Sequence, residues 1–122
     1  MRYISWVRST EDFGNPPQAL MDEMGKAMAE SVKNGVIVEA GGMGTLREHG
    51  TKLTLTGGKI LDGPYSEAKE LVGGYVIQNL DSYEEAVEGA RWLLELHKEH
   101  WPDWEGYVEV RQMFVESGFD AE

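Results

Sequence analysis

The segment Asp62-Gly63-Pro64-Tyr65 carries the most chemically suggestive arrangement in the chain. A carboxylate directly ahead of Gly-Pro stands where the backbone must pass from extended to turn, so local geometry sets its direction. Such a group has two uses. Accepting backbone N–H bonds, it fixes the turn; aimed into a cavity, it is an acid or base for proton transfer. Asp62 is thus the candidate catalytic residue, with the structural role open beside it. Tyr65 and Tyr75 offer rings as a pocket wall and hydroxyls as hydrogen-bonding groups, or else pack in the core with those hydroxyls on backbone. Lys69, flanked by Glu67 and Glu70, and Arg111 on a later strand are the candidate holders of an anionic ligand. For Lys69 the plain alternative is a solvated ion pair.

Other chemistries find less support. There is no cysteine, which removes thiol nucleophiles, zinc–thiolate sites and disulfides, and the cytoplasm is the expected compartment. His97 and His100 lie three apart near a helix end with Glu95 and Glu99 close by, and His49 sits in the loop sequence GTLREHG. Imidazoles at a helix C-terminus suit the helix dipole and are expected to be solvated, so no metal is assigned. Gly41 to Gly44 reads GGMG but lacks the lysine and strand-to-helix context of a phosphate loop, and no cofactor is implied.

The charge balance narrows the partners. Eleven basic against twenty-two acidic residues give a formal net charge of −11, and the basic residues are scattered singly. Nucleic acid and anionic membrane surfaces are therefore not expected partners. No apolar run approaches bilayer-spanning length, and the N-terminus lacks a signal-peptide pattern.

The elements that must position these residues follow from periodicity. Arg2 to Arg8 reads as a strand, and after Pro16-Pro17 a helix places Leu20, Met24, Ala27 and Met28 at helical spacing until Asn34-Gly35. The Met21, Met24 and Met28 stripe is expected in the core or on a soft contact surface. Val36 to Ala40 is a strand, and Thr51 to Leu61 with Gly57-Gly58 at its centre is a hairpin. Gly73 to Leu80 is another strand. Ser82 and Glu85 form a capping box for a second helix, which puts Ala86, Ala90, Leu93, Leu94 and His97 on one face and ends before Pro102. Tyr107 to Phe114 is the last strand, with a tail beyond it that is loose or grips a partner.

This order predicts a single α+β domain over 1–122: a ferredoxin-like antiparallel sheet with two helices on one face and an added β-hairpin. Two helices cover only one side. In the last strand Val108 and Val110 face them, which leaves Tyr107, Glu109, Arg111 and Met113 on a side too apolar for water. A homodimer is the economical cover, and two such sheets face to face enclose a cavity for a small-molecule ligand.

Asp62 to Tyr75, DGPYSEAKELVGGY, resembles the YCII-related, or DGPF-domain, family of small bacterial proteins at Asp62, Gly63, Pro64, Glu67, Lys69, Glu70, Gly74 and Tyr75. Tyr65 departs from the family's usual phenylalanine. The resemblance runs more loosely from RYISWV to the closing VEVR. It implies a ferredoxin-like protomer pairing into a dimeric α/β barrel, an architecture that hosts both enzymes and plain binding proteins. It also implies an Asp–His pair in which Asp62 supplies the acid, although no histidine here matches the second member. Genes of the family often lie beside sigma factors, which implies a regulatory protein partner. Two readings result: a cofactor-independent enzyme moving a proton in the dimer cavity, and a noncatalytic ligand-binding or regulatory dimer.

Overall fold

The computed structural model describes residues 1–44, 46–63 and 71–114. Strand β1 (Arg2–Ser9) leads to helix α1 (Gln18–Lys33), strand β2 (Ile37–Gly42) and the one-turn helix α2 (Leu46–His49). A hairpin of β3 (Leu53–Thr56) and β4 (Lys59–Asp62) follows, then β5 (Leu71–Asn79), helix α3 (Tyr83–His100) and β6 (Gly106–Met113).

β1, β2, β5 and β6 form one sheet in the order β2-β5-β1-β6, with every neighbouring pair antiparallel. With the hairpin set aside, this is the ferredoxin-like order, and the class and element sequence expected above are those observed. β1 takes a central place because its two sets of alternate residues suit two different surroundings. Tyr3 and Ser5 are buried, the Tyr3 ring lying 6.3 Å from that of Tyr83 on α3. Arg2, Ile4, Trp6 and Arg8 point the other way.

The local signals that start and stop the helices act as expected. The Ser82 hydroxyl accepts the Glu85 N–H at 3.3 Å, and α3 ends at Trp101, just ahead of Pro102. In the hairpin turn Gly57 and Gly58 both have positive φ, at 55° and 76°, which matches the twist of the two strands.

Three expectations need correction. The methionine stripe of α1, expected in the core or on a soft contact surface, is not core as a whole: Leu20 is fully buried and Met24 and Ala27 half-buried, while Met21 and Met28 are exposed, which leaves the surface alternative for those two. Leu20, Met24 and Ala27 fall within roughly 40° of one line along the helix, whereas Met21 and Met28 are roughly 80–100° away from it. The loop expected at His49 contains α2, a single turn closed by the Gly50 N–H on the Leu46 carbonyl at 3.2 Å, too short to show periodicity. His49 itself is exposed.

His97 is the third correction in one respect: its place on the face with Ala86 is as expected, but it is buried there rather than solvated at the helix end. α3 packs against α1, β1 and β6 together, so its buried stripe is broad enough to take in Leu96 and His97. Trp101 and Trp104 bring their rings to 6.4 Å and 4.4 Å from the imidazole, and Nδ1 lies 2.8 Å from the Leu93 carbonyl, to which it donates. Loss of solvent disfavours the imidazolium and lowers the His97 pKa from 6.5, although the Leu93 carbonyl acts in the opposite sense.

The unfolded chain therefore takes up a proton at a pH where folded His97 does not, and stability falls as pH drops below about 6.5, levelling once His97 protonates in the fold. Urea titrations at pH 8 and pH 5.5 should show a larger loss for the parent than for His97→Phe. Equal losses would remove the linkage. At pH 8, His97→Ala should cost about 2–3 kcal/mol by emptying the space beside the two indoles, which stand 6.3 Å apart.

Candidate functional site

In an antiparallel ladder, directly opposed residues share a face, so the register states which side chains surround Trp6. Trp6 is opposite Tyr75 on one side and Glu109 on the other, and Ile4 is opposite Ile77 and Arg111. Arg2 is opposite Asn79 and Met113, and Arg8 is opposite Tyr107. Glu39 on β2 is opposite Ile77. The face away from the helices thus collects Glu39, Tyr75, Ile77, Arg2, Ile4, Trp6, Arg8, Tyr107, Glu109, Arg111 and Met113. The division expected for β6 holds.

Glu109 organises the middle of this face. The Trp6 indole N–H donates to Oε1 at 3.0 Å, Arg111 donates to Oε2 at 3.2 Å, and the Arg8 Nε stands 3.3 Å from Oε1. The indole N–H, then Arg111 and Arg8, hold the Glu109 carboxyl below the ordinary carboxylate range, against partial burial that acts the other way. Arg111 also lies over the Trp6 ring, with its guanidinium carbon 5.4 Å from the centroid. Arg111, a candidate anion holder, is therefore on this face, exposed and engaged with Glu109 and Trp6.

Tyr75 lies on the other flank of Trp6. Its hydroxyl donates to Glu39 Oε2 in a very short hydrogen bond. That bond, followed by loss of solvent and the charge of Glu39, raises the Tyr75 pKa above 10 and keeps the phenol protonated through the neutral range. The ring reaches Glu39 by lying along β2 beside Gly41, where a Cβ would come within 3.1 Å of Tyr75 Cε1. Ile4, Trp6, Arg8, Met43 and Tyr75 line an open, apolar depression of about 390 Å³. Such walls offer aromatic and aliphatic surface more than hydrogen-bonding groups.

Asp62 is elsewhere. It ends β4 opposite Leu53, is exposed, and is not among the residues lining the depression. Its backbone setting is well defined: Gly63 is buried at φ 104°, a region that side chains strongly disfavour. The Gly63 N–H donates to the Lys52 carbonyl at 2.7 Å, and the Thr54 hydroxyl donates to the Gly63 carbonyl at 2.6 Å. Tyr65 and Lys69, with Pro64, Glu67 and Glu70, lie outside the described residues.

Of the five sequence-derived candidates, the structure brings Tyr75 and Arg111 to one face around Trp6. Trp6, Arg8, Glu39 and Met43 were not among them. The alternation Arg2, Ile4, Trp6, Arg8 in β1 was a usable signal for two of these. Glu39 and Met43 depend on the pairing of β2 with β5, which periodicity does not reveal.

Removing the acceptor should release the phenol, so Glu39→Gln should bring the Tyr75 ionisation back down toward 10. Because the chain has five tyrosines, the ring resonances of Tyr75 should be assigned by comparison with Tyr75→Phe and followed by NMR from pH 8 to 12. A Tyr75 midpoint unchanged by Glu39→Gln would show that the bond does not control it.

A family model for the YCII-related domain matches residues 1–93, spanning β1 to the middle of α3. No curated protein matches the chain. The matched stretch contains every residue lining the depression and the Asp62–Gly63 turn, while Glu109 and Arg111 lie beyond it. With the match extending over most of the 122 residues and the sheet strands in ferredoxin-like order, the chain belongs to the YCII-related domain family.

Proposed function

We propose that this protein binds a small, planar, largely apolar molecule bearing one acidic group, on the open face of its sheet, and that it does so as a homodimer whose second copy covers that face. The carrying observation is the depression walled by Ile4, Trp6, Met43 and Tyr75 with Arg8 at its edge, on a side of the sheet that neither long helix covers. Burying flat apolar surface against Trp6 and Tyr75 supplies the attraction. Orientation comes from polar groups: the Tyr75 hydroxyl oxygen as acceptor, its one proton being held by Glu39, and a face where Arg2, Arg8 and Arg111 stand against Glu39 and Glu109. In a chain of net charge −11, that local excess of positive charge favours an anionic ligand.

This reading assigns no chemical step. A second reading has Asp62 move a proton to or from such a ligand, and its support is the fixed, exposed placement of that carboxylate beside the Gly63 turn. Because Asp62 lies off the depression of its own chain, proton transfer requires another copy to present it. The same dimer, presenting its outer surface to a regulatory protein, is compatible with the first reading.

1-Naphthoate is a suitable probe, followed by tryptophan fluorescence quenching. Trp6→Ala should weaken binding at least about tenfold, or roughly 1.4 kcal/mol, while Trp92→Phe on the exposed side of α3 leaves it unchanged. Equal affinity of the parent and Trp6→Ala would end the ligand reading. The second reading adds that the parent, but not Asp62→Asn, accelerates exchange of the acidic C–H of phenylpyruvate with solvent deuterium. No acceleration by the parent would dispose of it.

A further inference from the structure

The hairpin is the least covered part of the described chain. Opposed residues share a side, so Leu53, Leu55, Ile60 and Asp62 lie on one side and Thr54, Thr56, Lys59 and Leu61 on the other. Leu53, Leu55 and Ile60 are 67%, 73% and 72% exposed. Three neighbouring aliphatic side chains so open to water form a patch that calls for a cover, and a two-stranded ribbon gains little stability until it packs on something. Among the described residues, β3 and β4 pack mainly on each other. Neither strand contributes to the lining of the depression in its own chain.

The face that also lacks a cover is complementary to the hairpin. It offers Ile4, Trp6, Ile77 and Met113 as apolar ground, with Arg2, Arg8 and Arg111 outnumbering Glu39 and Glu109. Among the described residues the Arg2 Nε, buried on it, meets no hydrogen-bond acceptor. The apolar side of the hairpin carries a carboxylate, Asp62, and no cation, because Lys59 lies on the reverse side. We infer that the hairpin of a second copy lies across this open face. Its Leu53, Leu55 and Ile60 cover the Trp6–Tyr75 depression and Asp62 faces the arginines, while a twofold axis repeats the contact on the other copy. This deepens the ligand reading and rests on its placement of the site: the pocket of each chain is closed by residues of the other.

The absence of cysteine makes a direct test clean. Leu55→Cys on one chain and Met43→Cys on a second, differently tagged chain should form a mixed disulfide under oxidised glutathione. The rate should be at least about tenfold that of Leu55→Cys with Trp92→Cys, which is exposed on the helix side. All three positions are exposed, so the variants should fold. Light scattering should find the parent dimeric at micromolar concentration and Leu55→Glu/Ile60→Glu monomeric. A mixed-disulfide rate no higher than the Trp92 control, or a monomeric parent, overturns the inference. Naphthoate binding that depends on Trp6 without the cross-link leaves the ligand reading standing alone, and the cross-link without naphthoate binding leaves the clasp standing alone.

Discussion

The described part of this molecule depends on a sheet whose two long helices, α1 and α3, lie on the same side. In a β-strand neighbouring side chains point to opposite faces, so a sheet with one covered face must carry two different alphabets in alternation. β1 carries both. Tyr3 and Ser5 go into the core beneath the helices, and Arg2, Ile4, Trp6 and Arg8 go to the open side. Because β1 is paired on both edges, a slip of one residue would exchange the alphabets and put Arg2 and Arg8 beneath the helices. The cost of burying those charges without partners is what fixes the register.

On the open side, the same constraint appears as a polar network built around an indole. The Trp6 ring gives the face its apolar centre, but its N–H needs an acceptor once it is partly shielded from water. Glu109, directly across the strand pair, supplies it. A carboxylate placed there needs cations in turn, and Arg8 and Arg111 approach its two oxygens from different sides. Each member is explained by the one before it. The result is a Trp6 held in place by a carboxylate on its N–H and a guanidinium over its ring, with Arg8 steadying that carboxylate.

Much of this was legible in the residues, and the boundary between what was and what was not is physical. The strand–helix–strand order, the Gly57-Gly58 turn, the Ser82 cap and the inward placement of Val108 and Val110 come from local signals, each contained within a few residues. Arg111 was placed on the open face by alternation alone. Glu39, Met43 and the role of Trp6 were not legible, because they depend on which strands pair and in what register over long separations. The bulge between Val7 and Arg8 shows how easily that register changes. His97 was misjudged for a related reason: a helix end is usually wet, and only the return of the chain through Trp101 and Trp104 encloses it.

The family segment divides along the same line. Gly63 does backbone work, holding a positive-φ bend that closes the base of the hairpin onto Lys52 and Thr54 of its opposite arm. Tyr75, at the other end of the segment, does side-chain work on the open face, where Gly41 leaves room for its ring and Glu39 takes its proton-bearing hydroxyl. A pattern that begins at the root of an exposed hairpin and ends in the floor of a depression ties two surfaces together. If it served only to make a turn, nothing would require an aromatic at Tyr75. If it served only to build the floor, Gly63 would have no call on a positive φ.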